Sequence, residues 1–198
     1  MINYAIPGLY KHYKINKQLL NMRQNNPEFF YPNINIEAVY GVFPWCIFDG
    51  GRIYMTHDHA SLEEIKTILF EYHKFNVASR LVYTNCQLIP DNYTNRFGNL
   101  CLSLCNEYEN NQVVVVDDNF LIYIHNNYPN LSFISSTTKC LNQLDFQQEL
   151  GQSKFIEVCL DYNLNHNWKL LDSLTEEQKK KCEFLCNAIC PAACPTRK

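Results

Sequence analysis

Residues 113–118 read Val-Val-Val-Val-Asp-Asp, and this hexamer decides the class of fold. Four β-branched apolar residues without polar alternation describe a strand covered on both faces, as in a parallel sheet; a strand with one wet face alternates. The two carboxylates close the run where the chain turns. The same grammar recurs at Val39 to Phe48, Leu81 to Tyr83, Leu131 to Ile134, Phe155 to Leu160 and Phe184 to Ile189. Helical signals separate these runs. Ser61 and Glu64 have capping-box spacing, and Leu62, Ile65, Leu69 and Tyr72 follow on one face. Asp91 precedes Tyr93, Phe97, Leu100, Cys101, Leu104 and Tyr108 at helical intervals. Leu141, Leu144 and Gln148 lead to a stop at Gly151, Trp168, Leu171 and Leu174 suggest a short helix, and Thr175 to Gln178 repeats the capping pattern.

Residues 1–35 read as an N-terminal helical extension. Leu9, His12, Tyr13, Leu19 and Leu20 supply a partial apolar stripe that Pro27 and Pro32 end. Residues 36–198 carry about six strands with helices between them, the rhythm of repeated βα units. The expected fold is α/β, a partial or truncated TIM-like (βα) barrel, because a closed barrel of this type needs eight strands. An exposed parallel edge invites pairing, so a second copy or another protein is expected to cover it.

Composition narrows the class. The chain has 198 residues, 46% hydrophobic and 19% charged, which excludes wholesale disorder. A net charge of -3 provides no basic field for nucleic acid or an anionic membrane. No apolar run is long enough to span a bilayer, and Met1 to Tyr10 lack the plan of a secretory signal. A cytoplasmic, reducing location follows as the expectation, where the ten cysteines are thiols rather than bridges.

Most runs empty into polar clusters: Asp49-Gly50-Gly51-Arg52, Thr84-Asn85, Asp117-Asp118, Ser135-Ser136-Thr137-Thr138-Lys139, Asp161-Tyr162-Asn163 and Cys190-Pro191-Ala192-Ala193-Cys194. In parallel α/β folds these ends share one face, where sites form, although turns of this kind are polar anyway. Gly50 and Gly51 can admit an anion to backbone N–H groups beside Arg52; a tight turn explains them equally. Lys139 suits an electrophile, an anion clamp or a Schiff-base amine beside Ser136 and Thr137, or a surface cation. Asp161, with Asn85 and Asn163, suits acid–base or polar contacts, or turn capping. Cys190 and Cys194 place two soft donors in one loop, fit for zinc or an iron–sulfur cluster. Cys86, Cys140 and Cys159 are candidates for the remaining ligands; reduced thiols without metal are the alternative. His57 and His59 form an HxH pair placed before the Ser61 cap, better read as a solvated loop, and Cys101 reads as core.

The runs Val39-Tyr40-Gly41-Val42-Phe43-Pro44 to Arg52, Tyr83-Thr84-Asn85, Ile134 to Lys139, Leu160 to Asn165 and Cys190-Pro191-Ala192-Ala193-Cys194-Pro195-Thr196-Arg197-Lys198 resemble a group of bacterial and phage proteins. That group is similar to TIM-barrel proteins and, distantly, to the collagenase-like peptidase family, whose members include cluster-dependent RNA-modifying enzymes. The resemblance implies a barrel, with further chain beyond the Cys-Pro-x-Arg-Lys stretch; no assigned activity transfers with it, and the family's multi-cysteine pattern is not reproduced. The expected function is an intracellular enzyme acting on a small or anionic substrate at the strand C-terminal ends. Its alternative is a non-catalytic binding or assembly module that pairs through the open barrel edge.

Overall fold

The computed structural model describes residues 1–50 and 59–186. Seven parallel strands form one sheet in sequence order: β1 (Ile2–Pro7), β2 (Ile34–Gly41), β3 (Ala78–Tyr83), β4 (Gln112–Val115), β5 (Ser132–Ser135), β6 (Glu157–Cys159) and β7 (Cys182–Glu183). The sheet curls into half a barrel. Helices connect successive strands: α1 (Tyr13–Asn25), α2 (Leu62–Lys74), α3 (Arg96–Asn106), α4 (Asp118–Asn127) and α5 (Gln143–Leu150), then α6 (Trp168–Ser173) and α7 (Glu176–Lys181) before β7. No helix among the described residues is long and apolar enough to cross a membrane.

The α/β, TIM-like reading stands, with different bounds. The N-terminal segment keeps its helix but opens on a strand, β1, which pairs in parallel with β2 and raises the strand count to seven. The run Val39 to Phe48 is strand only as far as Gly41. Pro44 has no N–H to donate to a ladder, and Trp45 takes a positive φ of 68°. Val42, Phe43, Cys46 and Phe48 are buried all the same, as the apolar floor of a loop. Continuous hydrophobicity there records burial, not extension. At the last run the described strand, β7, is Cys182–Glu183, just before Phe184; residues 187–189 of that run lie outside the described residues.

Both capping boxes form. Ser61 Oγ accepts from the Glu64 amide at 3.2 Å, and Glu64 Oε2 accepts from the Ser61 amide at 2.8 Å. Thr175 and Gln178 exchange the same bonds at 3.2 and 3.0 Å. The third helix begins at Arg96 under an Asn95 cap, because Pro90–Thr94 forms a separate 3-10 turn. Helix α4 had no expected counterpart; Asp117 caps it by accepting from the Phe120 amide at 2.6 Å. Gly98 allows α3 to lie on the Phe48 ring, where an added Cβ would stand 2.2 Å from a ring carbon.

Side-chain alternation gives the sheet two unlike faces. Leu81, Val113, Val115 and Val158 are fully buried in the apolar core. On the opposite face Arg80 is 2% exposed and carries the guanidinium at the centre of an ionic layer, the only one there among the described residues. Its Nε donates to Gln112 Oε1 of β4 at 2.7 Å, and its Nη2 to Glu37 of β2 at 3.2 Å and Glu157 of β6 at 2.8 Å. Its Nη1 donates to Glu183 of β7. In a flat sheet β3 and β7 would lie roughly 19 Å apart, four strand spacings, well beyond the reach of this pair. Arg80 therefore bonds across the concavity, and the curl and the ion pairs require each other. Glu37 is the extra residue of a bulge: Ile36 faces Tyr4 and Ala38 faces Ala5, leaving Glu37 between them.

Arg80→Ala removes the buried cation and leaves partly buried carboxyl groups without their partner, so it should lower stability by up to roughly 3–5 kcal/mol. Urea unfolding at neutral pH measures this; an unchanged midpoint would contradict the assignment.

Candidate functional site at the C-terminal rim

The loops leaving β2, β3, β4, β5 and β6 meet at one end of the half-barrel and are bonded neighbour to neighbour. Asn85, just past β3, donates from Nδ2 to the Ile47 carbonyl of the β2 loop at 2.7 Å, and its amide donates to Phe48 O at 3.2 Å. Gly50 has φ 80°, and a Cβ there would meet the Thr84 carbonyl oxygen at 3.0 Å, so close approach of the two loops requires glycine. Tyr93 donates to Asp117 at 3.1 Å. The Ser136 amide donates to Val115 O at 2.9 Å, and Thr137 Oγ1 donates to Leu160 O at 3.4 Å. Leu160 donates to Glu183 O at 2.9 Å, and Asn165 to Leu185 O at 3.1 Å.

The candidate residues on the described chain thus share one rim, and most of their polar groups hold it together. Ser136 is buried and its Oγ accepts from the Thr138 amide at 3.0 Å. Asp161 is also buried, with Oδ1 accepting from both the amide and Nδ2 of Asn163 at 2.9 Å. Lys139 turns toward the helical layer. Its ammonium donates to Glu149 of α5 and to Asp118 at 3.2 Å, and lies 4.8 Å from the Phe155 ring centroid. Glu149 also accepts from Ser135 at 2.7 Å, which fixes β5 to α5. Burial disfavours the Asp118 carboxylate, but hydrogen bonds and charge from Lys154 and Lys139 outweigh it and hold its pKa below the ordinary value.

Gly51, Arg52, Cys190 and Cys194 lie outside the described residues, as does His57. His59 is exposed beside Trp45, with ring centroids 5.5 Å apart. Among the described residues no group of three or more His, Cys, Asp or Glu is arranged to hold a metal ion. The thiols differ in setting. Cys101 and Cys105 are core residues of α3, and burial raises both thiol pKa values far above normal. Cys46 is pushed up to about 11 by burial. Cys159 donates to Glu183 Oε2 at 2.8 Å; burial, then the Glu183 charge, keep it a thiol. Cys86 is exposed and Cys140 partly so, in the loops after β3 and β5; burial and then the charge on Cys140 raise the Cys86 pKa. Cys86 and Cys140 are the thiols in the loops after β3 and β5 that are not buried.

The ionic layer beneath the rim was not anticipated. Arg80 and Glu157 are charges set inside apolar strands, and that incongruity is the signal available in the sequence. Glu157 is pushed up to about 8: burial is the largest cause, Arg80 opposes it, and the charges of Glu183 and Glu37 add to it. Compared with protein-family models, curated proteins and solved structures, the chain matches none.

A carboxyl whose folded pKa lies above its unfolded value of about 4.3 binds more protons folded than unfolded, so its contribution is lost as pH rises. For Glu157 the contribution is complete below about 4.3 and disappears as pH climbs through about 8. Unfolding midpoints between pH 5.5 and 8.5 should fall more steeply for the native protein than for Glu157→Gln. Parallel profiles would refute the assignment.

Proposed function

We propose that this protein is an enzyme of the TIM-barrel type, working in a reducing compartment on a small or anionic substrate at the C-terminal rim. The observation that supports the reading is convergence. Gly50, Asn85, Ser136, Thr137, Lys139, Asp161 and Asn163 come from four loops, and all follow strand C-terminal ends. Parallel α/β folds build their sites there. On this reading Arg52 supplies the bidentate anion contact, and Asn85, Asn163 and Thr137 frame the substrate. Asp161 is the carboxylate available for acid–base work. Lys139, bound to Glu149 and Asp118, acts as a positioning residue that sets the β5 loop.

Cys190 and Cys194 are proposed to hold zinc or an iron–sulfur cluster, with Cys86 and Cys140, the less buried thiols of the loops after β3 and β5, as candidates to complete it. A thiolate-bound centre would supply Lewis-acid or electron-transfer chemistry. Cys159 is unsuited, because its sulfur is engaged with Glu183 in the ionic layer.

A second reading, a binding or assembly module pairing through the open edge, is favoured by β1. It is a terminal strand of the sheet, and Ile2 and Tyr4 on it are exposed.

Metal analysis and an absorbance spectrum of anaerobically purified protein test the enzyme reading. Stoichiometric iron or zinc is expected, lost in Cys190→Ser/Cys194→Ser while the unfolding midpoint in metal-free buffer stays unchanged. Metal-free native protein that elutes only as a complex would overturn it in favour of the module.

A further inference from the structure

Among the described residues no strand lies between β7 and β1, the two ends of the strand order, and the half-barrel is open there. One edge of β1 is committed to β2: the amides of Ile2 and Gly8 donate to Asn33 O and Tyr40 O at 2.7 and 2.8 Å. Backbone groups alternate in direction along a strand, so Asn3, Ala5 and Pro7 face the opposite, open edge. Pro7 has no N–H, and its carbonyl accepts from Asn16 Nδ2 at 3.0 Å, which ends the usable edge. Among the described residues nothing bonds to the outward donor and acceptor groups of Asn3 and Ala5, which are directed where the next strand of a barrel would run.

The chemistry of the concave face specifies what that strand carries. Three carboxyl groups, on Glu37, Glu157 and Glu183, share one guanidinium, and each of the three side chains is about one-fifth exposed while Arg80 is covered. Glu183 lies on β7, at one border of the opening, and Glu37 lies on β2, beside β1 at the other. A second copy offering its own β1, Ile2–Pro7, would bring no charge to this face, since that segment contains no ionisable side chain but Tyr4. A basic side chain would balance the layer.

We propose that the opening between β7 and β1 accepts an extended segment of a partner protein as an added strand, and that this segment turns a Lys or Arg inward onto Glu183, Glu157 and Glu37. Backbone bonding to Asn3 and Ala5 gives register, and the inward cation gives selectivity, the division of labour usual in strand addition. The inference rests on the module reading and is independent of Cys190 and Cys194.

The probes are two synthetic hexapeptides, acetyl-Thr-Val-Lys-Val-Thr-Val-amide and the same peptide with Glu in place of Lys. Amide hydrogen exchange at Asn3 and Ala5, together with titration calorimetry, provides the readout on the full chain. The Lys peptide is expected to protect both amides and to bind at least about tenfold more tightly than the Glu peptide, because like charge across an interface is penalised. Glu183→Gln should reduce that preference, and Glu37→Gln gives the same comparison if the first variant fails to fold. Equal binding of the two peptides, or unprotected amides with both, overturns the proposal. Protection that grows with protein concentration in the absence of peptide also overturns it, and assigns the edge to a second copy.

Discussion

Arg80 bonds to four strands other than its own, and the architecture depends on that. Neighbouring strands are held by backbone ladders, whose twist and stagger favour a coiled sheet but pin no pair of distant strands together. A guanidinium on β3 that bonds to β2, β4, β6 and β7 requires the sheet to bend around it. Desolvating four ionisable groups is expensive, and the Coulomb attraction among them returns that cost only if the geometry is kept. The layer therefore acts less as a source of net stability than as a specification of shape. Glu183 shows this most clearly. It is half of the two-residue strand β7, and it joins Arg80, Cys159 and, through its carbonyl, Leu160.

With the curl set, the rim follows. Loops that leave neighbouring strands on one side converge, and their short polar side chains bond to each other's backbones. Asn85 and Thr137 each reach a carbonyl in the loop of an adjacent strand, while Ser136 and Asp161 shape their own turns. The same residue types that suggest chemistry here also build the platform. A site proposed at this end consists of groups left over after that construction, which directs attention to Arg52 and the terminal cysteines.

What was legible in the sequence divides along physical lines. Strands β3 to β6 were readable because burial on both faces leaves short, mostly apolar runs with little alternation, and α2 was readable because its cap is local. The strand β1 was not, since Ile-Asn-Tyr-Ala-Ile-Pro is mostly exposed and has no buried residue to mark it. The run from Val42 to Phe48 misled because a buried loop and a buried strand have the same composition. Charges inside strands, Arg80 and Glu157, were passed over because their meaning depends on partners up to 103 residues away. The rim residues were found, but composition alone could not separate a turn cap from a reactive group. Lys139 shows the point, since its partner Glu149 lies on the following helix.

A double-mutant cycle on Arg80→Met and Glu183→Gln, read from urea unfolding at neutral pH, addresses the central claim most directly. If these two residues close the curl, the two substitutions should couple by more than about 1 kcal/mol. Additive effects, within about 0.5 kcal/mol, would show that β3 and β7 do not communicate through this pair and would contradict the account.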